Sequence, residues 1–213
     1  FEAGKSSDIW KVKMPLALLY TMHDTKYNCH INEGRLHRAF SVLIFNSNNE
    51  ILLQKRSSKK ITFPGVWANA CCSHPLHTEE ELRPNGVGTN NAAKRKLEQE
   101  LGIDVSGISS DDFNHMTRML YEARADVKWV EREIDHILVL KTDLEINHNV
   151  NEIDEVLWVS YENFDSVISN LEDEGDIIAP WFKLIVENFL KDWWMNIDEL
   201  DTHKNTIIHD MRN

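Results

Sequence analysis

Two apolar runs frame the first half of the chain. Residues 38–45 (RAFSVLIF) and 51–55 (ILLQK) flank the turn-forming stretch Asn46-Ser47-Asn48-Asn49-Glu50. Apolar segments parted by a short polar cluster predict a β-hairpin. A helix is expected over 92–101, with Thr89 as its N-cap and Gly102 at its C′ position. Strands are expected over 116–122, 133–140 and 155–159, and a helix over 162–171. Pro180 then opens an amphipathic helix over 181–194, in which Leu184, Ile185, Phe189 and the Trp193–Trp194 pair recur at helical spacing. Strands and helices interleave in mixed order, which predicts an α/β sandwich.

With 213 residues, one domain is the expectation, and the chain is long enough to bury a substantial core. We divide it into an N-terminal extension over 1–22, its polar first dozen residues expected to be disordered, and a domain over 23–213. No apolar run approaches the roughly 20 residues of a membrane-spanning helix. The longest, 14–22, is interrupted by Pro15 and is followed by no small-residue cleavage site. The net charge of −12 argues against nucleic-acid or anionic-membrane partners, while leaving room for a local cationic pocket. Cys29, Cys71 and Cys72 are a poor disulfide framework and point to a reducing compartment. A cytoplasmic monomer is therefore the expectation. Because the chain starts at Phe1 rather than Met, an organellar targeting segment upstream stays open.

Four segments concentrate residue types that do chemistry: KYNCHINEGRLHRAF, WANACCSHP, KRKLEQELG and WVEREID. Histidines and a Glu-x-Glu pair suit a divalent cation. On a strand Glu131 and Glu133 point to one face and can reach one ion. Read from spacing alone, the same residues fit blander roles. A Glu-x-Glu is more commonly a solvated strand face, Cys72 a small buried hydrophobe, and Trp181 a core residue.

The segments LHRAFSVLIFN, KITFPGVWANACCSHP, EQELGI, EREIDHILVL and APWFKLIVENFLKDWW occur in this order. Together they resemble the signature blocks of flavin-independent, type 1 isopentenyl-diphosphate isomerases, over about nine-tenths of the chain. The resemblance implies a Nudix-like α/β/α sandwich with a mixed sheet. It also implies the interconversion of isopentenyl and dimethylallyl diphosphate through a tertiary carbocation, in isoprenoid biosynthesis. By similarity, Cys72 and Glu133 handle the protons from opposite faces of the hydrocarbon, and Tyr121 lies beside them. The metal ligands fall on His30, His37, His74, Glu131 and Glu133, for Mg²⁺ with Mn²⁺ or Zn²⁺ as alternatives. Glu100 matches the residue that reaches a second Mg²⁺ carried by the diphosphate. Lys26, Arg56, Lys60 and Lys96 match its cationic contacts, Ser73 a backbone contact, and Trp181 an aromatic face near the cation. No flavin is implied.

The chain departs from that pattern in places. Ala68 stands where threonine is common, Val130 and Arg132 replace the glycine and histidine of a W-G-E-H-E segment, and Lys96 replaces an arginine. Arg132 is expected to point away from the metal face of its strand. The region before His23 is rebuilt relative to the family's first hairpin. Two other functions remain. A Nudix diphosphate hydrolase would share the fold, but Lys96 and Gln99 replace two of the three glutamates of its metal-binding helix. A catalytically silent scaffold protein would draw support only from the altered WVERE segment and the rebuilt N-terminal region.

Overall fold

The computed structural model describes residues 23–212, so the extension over 1–22, with its apolar run, lies outside the described residues. A short helix α1 (Lys26–His30) leads into β1 (His37–Phe45) and β2 (Ile51–Arg56). These form the expected hairpin. Its turn is tied by Asn46, whose Oδ1 accepts from the main-chain N–H of Asn48 and Glu50 at 3.0 and 2.9 Å. The two strands pair at Phe45–Ile51 and then part. Into the gap comes the segment holding β3 (Trp67–Asn69), which pairs with β2, and β4 (Cys71–Ser73), which pairs with β1. The chain changes partner at Ala70, and this wedge builds the site.

The helix α2 (Val87–Leu101) follows, then the antiparallel pair β5 (Asn114–Arg124) and β6 (Val130–Lys141). β6 lies parallel to β1, pairing from His37–Glu133 to Phe45–Lys141. β7 (Ile153–Val159) pairs with β2. After it come α3 (Phe164–Asp173), α4 (Pro180–Ile185), a π-helical turn Val186–Leu190, α5 (Lys191–Met195) and β8 (Ile208–Asp210) parallel to β5. The result is an eight-stranded mixed sheet.

Strand alternation sorts the core into two layers. Leu43 and Phe45 of β1, with Ile137 and Val139 of β6, pack under Trp181, Phe182, Ile185 and Trp193. Val42 and Ile44, with Leu138 and Leu140, pack under Ala93, Leu97 and Leu101 of α2. Each such side chain is essentially shielded from water and contributes about 1.5–3 kcal/mol of transfer free energy. This is the expected α/β/α sandwich.

The helix α2 starts two residues before Thr89, which is buried in its first turn rather than capping it. Gly86, at φ +86°, precedes the helix. Gly102 ends it in the left-handed region at φ +64°, and a Cβ there would lie 2.0 Å from the Asn147 carbonyl oxygen. The expected C-terminal helix is present, interrupted by its π turn.

Candidate active site

The site opens on the β6 face that looks toward α4. Period-two alternation places Glu131, Glu133 and Asp135 on that face with Ile137 and Val139, and all three carboxyl groups are buried. Arg132 points the other way, 3.5 Å from Glu122, so the intervening cation does not intrude on the carboxylates. The glycine replaced by Val130 has a counterpart: Gly34 packs on Val130, where a Cβ would come within 2.7 Å of Val130 Cγ1.

His30 ends α1, a helix capped by Thr25, whose Oγ1 accepts from Asn28 N–H at 3.2 Å. His37 opens β1 directly opposite Glu133 in the β1–β6 register. His74 follows β4. The Nε2 atoms of His30, His37 and His74 lie 3.7, 3.1 and 2.8 Å from Glu133 Oε1. The four donor atoms fall within 4.8 Å of one another.

The Nδ1 atoms of His30 and His37 sit 2.7 Å from the carbonyls of Lys26 and Arg35. Only an Nδ1–H can donate there, so both Nε2 lone pairs face inward. Both are buried without a hydrogen-bond partner. Leaving such atoms unsatisfied costs about 1–3 kcal/mol each, and a divalent cation is the group that removes the cost. Burial pushes His74 down to about 4, so its imidazole is neutral at pH 7, as a ligand must be. Burial alone would raise Glu133, but His74 and the neighbouring imidazoles of His30 and His37 hold it well below the usual carboxylate range. Three imidazoles and a carboxylate fit a divalent metal.

Glu131 lies beside this group rather than within it. Its Oε2 accepts from the Tyr121 hydroxyl at 2.6 Å, and the same hydroxyl lies 2.9 Å from Glu133 Oε2. Burial and the adjacent Glu133 charge raise Glu131 to about 7, and the Tyr121 hydroxyl links it to Glu133.

Cys72 lies on the same face, from the wedge. Burial, then the Asp135 carboxyl, push its thiol up to about 12, so it keeps its proton. Its sulfur lies 3.0 Å from Trp181 Nε1 and 3.1 Å from Asn69 Oδ1. Ser41 donates to Asp135 Oδ2 at 2.7 Å and lies 3.6 Å from Cys72 Sγ. Cys71 faces the α2 layer, with its sulfur 3.6 Å from Glu100 Oε2.

Across the cavity stand the cations. Lys96 Nζ is 2.8 Å and Lys60 Nζ 3.7 Å from Glu100 Oε1, and Lys60 also pairs with Glu152. Lys26 is held below its usual pKa by burial and by Lys60, Arg56 and Lys96, a sign of how closely the four gather. Arg56 is buried. Its Nε and Nη2 donate to the carbonyls of Phe63 and Thr62 at 3.0 and 2.9 Å, and its guanidinium lies 5.5 Å from the Trp181 ring centre.

One cavity is thus lined by Cys72, Ser73 and His74 of the wedge, by Tyr121, Glu131 and Glu133, by Lys26, Arg56, Lys60, Lys96 and Glu100, and by Trp181. His30 and His37 stand against Glu133 at its edge. Trp181 is both core and wall: it is 2% exposed and packs with the C-terminal layer.

Further residues complete the site. Asp135 continues the Glu131–Glu133 alternation and could have been read from it. Asn69 and Ser41 carry no pattern of their own. Glu81 and Arg95 form a pair that brackets His74. Glu81 accepts from Arg95 Nε at 2.5 Å and from Leu76 N–H at 2.6 Å, and Arg95 Nη2 donates to the His74 carbonyl at 3.2 Å. Among the described residues no helix is long and apolar enough to cross a membrane.

The NUDIX domain family model matches residues 35–185. The chain is 46% identical over 185 residues to isopentenyl-diphosphate Delta-isomerase II, chloroplastic, of Arabidopsis thaliana, covering 83% of this chain and 65% of that protein. It is 44% identical over 190 residues to isopentenyl-diphosphate Delta-isomerase I of Camptotheca acuminata, covering 85% of this chain and 81% of that one. The chain therefore spans just under two-thirds of the Arabidopsis relative's length and about four-fifths of the Camptotheca relative's. Among solved structures, DR0079 from Deinococcus radiodurans superposes with a TM-score of 0.51 at 14% identity, over 75% of this chain and 86% of that one. A NUDIX hydrolase from Alicyclobacillus acidocaldarius gives 0.51 at 10% identity, over 70% and 88%. At such identities these two establish the fold alone.

Proposed function

The chain belongs to the isopentenyl-diphosphate Delta-isomerases with a NUDIX domain, and from this we propose that it interconverts isopentenyl diphosphate and dimethylallyl diphosphate. The observation that carries the reading is the shared cavity. A protonated thiol, a buried carboxylate, an indole and four cations line one cavity.

Isomerisation needs those parts. An unactivated alkene is a very weak base, so the proton donor must be close and aligned. Cys72 and Glu133 act as the pair, one supplying a proton to the terminal alkene carbon and the other removing one from the opposite side. Tyr121 and Glu131 share the proton at the Glu133 end. The Trp181 face stabilises the tertiary cation, which cannot be hydrogen-bonded, by about 2 kcal/mol once desolvated. Burial of this wall also excludes water, which would trap the cation as an alcohol.

Lys26, Arg56, Lys60 and Lys96 bind the diphosphate as three point charges and a fork, with Ser73 as a backbone contact. Mg²⁺, or Mn²⁺ or Zn²⁺, would be held by His30, His37, His74 and Glu133, with Glu131 alongside. Bound there, it would supply positive charge that keeps Glu133 a carboxylate, and Glu100 would reach a second Mg²⁺ carried with the diphosphate. The reading requires no flavin. The enzyme is proposed to act as a monomer; a cytoplasmic site of action is proposed beside the plastid location named for the Arabidopsis relative.

Hydrolysis is less well supplied. Gln99, at a position where a hydrolase helix carries a glutamate, is exposed, and its amide oxygen lies 3.4 Å from Arg95. Substitution tests the isomerase reading. Cys72→Ala and Glu133→Gln are expected to abolish isomerisation with the fold intact, while Cys71→Ala keeps most activity. Equal loss from the two cysteine variants would mean that the thiol pair is structural.

A further inference from the structure

The fully buried Asn69 sits where β3 leaves β2 and β4 joins β1. Its amide is saturated. Nδ2 donates to the main-chain carbonyls of Val42 and Cys71, each at 3.0 Å. Oδ1 accepts from the Cys72 thiol and from Trp181 Nε1–H, each at 3.1 Å. A reversed amide would set NH₂ against an indole N–H and oxygen against two carbonyls, so the network fixes its orientation. Trp181 Nε1 is also 3.0 Å from Cys72 Sγ, which closes a triangle of amide oxygen, thiol and indole N–H.

We infer that Asn69 is a positioning residue for the isomerisation, holding the Cys72 thiol and the Trp181 indole as one unit against the hydrocarbon. The inference rests on the isomerase reading above. The two halves of the amide do separate things. Nδ2 ties the wedge to β1 through the Val42 carbonyl, beside the β1–β4 ladder. Among the described residues Oδ1 accepts from Cys72 and Trp181 alone, the two residues to which that reading gives the proton and the cation.

A thiol rotates freely about Cβ–Sγ and is a weak donor, so an acceptor at this distance decides where its proton points before substrate arrives. When Cys72 is the acid, its S–H bond breaks and a C–H bond forms with the alkene π pair. The sulfur keeps the S–H electron pair. Trp181 N–H already faces that sulfur, while the Ser41 hydroxyl is engaged with Asp135. Asn69 fixes the indole in the plane that makes this donation and presents the ring to the cation.

The test reads Cys72 directly. In infrared spectra of the wild-type enzyme, the S–H stretching band that disappears in Cys72→Ala is expected below the frequency of a free thiol. In Asn69→Ser the band should move up to the free value. At the same time kcat should fall about 10²-fold with KM changed less than about threefold, since about 1 Å of misplacement costs that much. In a Trp181→Phe background the same substitution should cost less than about tenfold, because the triangle is already broken. A wild-type band at the free-thiol frequency overturns the inference without need of any variant. An unchanged kcat in folded Asn69→Ser overturns it too, as does a loss that follows melting temperature alone. If wild type itself does not isomerise the substrate, the isomerase reading fails; if it does and Asn69→Ser is fully active, only the role of Asn69 fails.

Discussion

Replacing Glu81 with Gln should weaken metal binding at a site the side chain never touches. Glu81 is 7% exposed, and its carboxylate takes Arg95 Nε at 2.5 Å, Arg95 Nη2 at 3.0 Å and Leu76 N–H at 2.6 Å. Arg95 in turn donates to the His74 carbonyl. The pair therefore grips the chain on both sides of a metal-ligand candidate. Gln keeps the shape but turns charge-assisted bonds, worth about 1.5–3 kcal/mol each, into neutral ones worth about 0.5–1.5. The net loss is about 1–3 kcal/mol, or roughly 2–4 °C of melting temperature per kcal/mol in a chain of this size. Loss of an outer contact to a ligand lowers metal affinity about 10–100-fold. Competition between metal-stripped protein and a chelator for Mn²⁺ measures this, with His74→Ala as the reference for a lost ligand. Arg95→Lys, which keeps charge without the fork, should fall between. A lowered melting temperature with wild-type Mn²⁺ affinity would refute the reasoning, since the pair would then support only the loop.

Three further outcomes are expected. Exhaustive chelation should stop turnover, and His37→Ala should lower the metal content per chain by elemental analysis; full activity in protein shown to be metal-free would contradict the metal site. Trp181→Phe and Trp181→Leu both lose the indole N–H and differ in the π face, so Leu should be worse in kcat by roughly 1–2 kcal/mol; equal losses, or losses that only follow melting temperature, would remove the cation-stabilising role. His136 Nδ1 and His115 Nε2 lie 3.0 Å apart, and burial pushes His115 down to about 4 and His136 well below the usual range. Below about pH 6.5 the unfolded chain therefore takes up protons that the folded chain refuses, His115 until near pH 4 and His136 to lower pH still, and stability falls by up to about 1.4 kcal/mol per pH unit for each. Urea unfolding of a His115→Asn/His136→Gln double variant should show a smaller loss between pH 7 and 5, and an unchanged loss would exonerate the pair.

The long elements were legible because periodicity survives in them. β1, β6 and the C-terminal helix each bury a face whose repeat is written in the residues. β3 and β4 were not, since three residues carry no period, and their pairing is decided by the parting of β1 from β2. Thr89 looked like a cap because threonine favours that position, but Gly86 in the left-handed region starts the turn earlier. The five-residue α1 is shorter than any helix that local propensity would sustain, and it stands where His30 bonds back to Lys26 and packs on β6. The chemistry divides in the same way. Residue types and family resemblance pointed to His30, His37, His74 and Glu133, but these come from three separate segments and meet through the β1–β6 and β1–β4 pairings. Asn69 was invisible because its importance lies in four hydrogen bonds, two of them to main-chain carbonyls that no side-chain pattern records.

The central claim is best tested by following isopentenyl diphosphate with Mg²⁺ in D₂O by proton and phosphorus NMR, with the wild-type enzyme and Cys72→Ala side by side. Wild type should convert the substrate to dimethylallyl diphosphate carrying solvent deuterium, with no phosphate released, and Cys72→Ala should do neither. Release of phosphate without isomerisation would make the protein a hydrolase, and binding without any turnover would make it a silent scaffold; either result contradicts the isomerase.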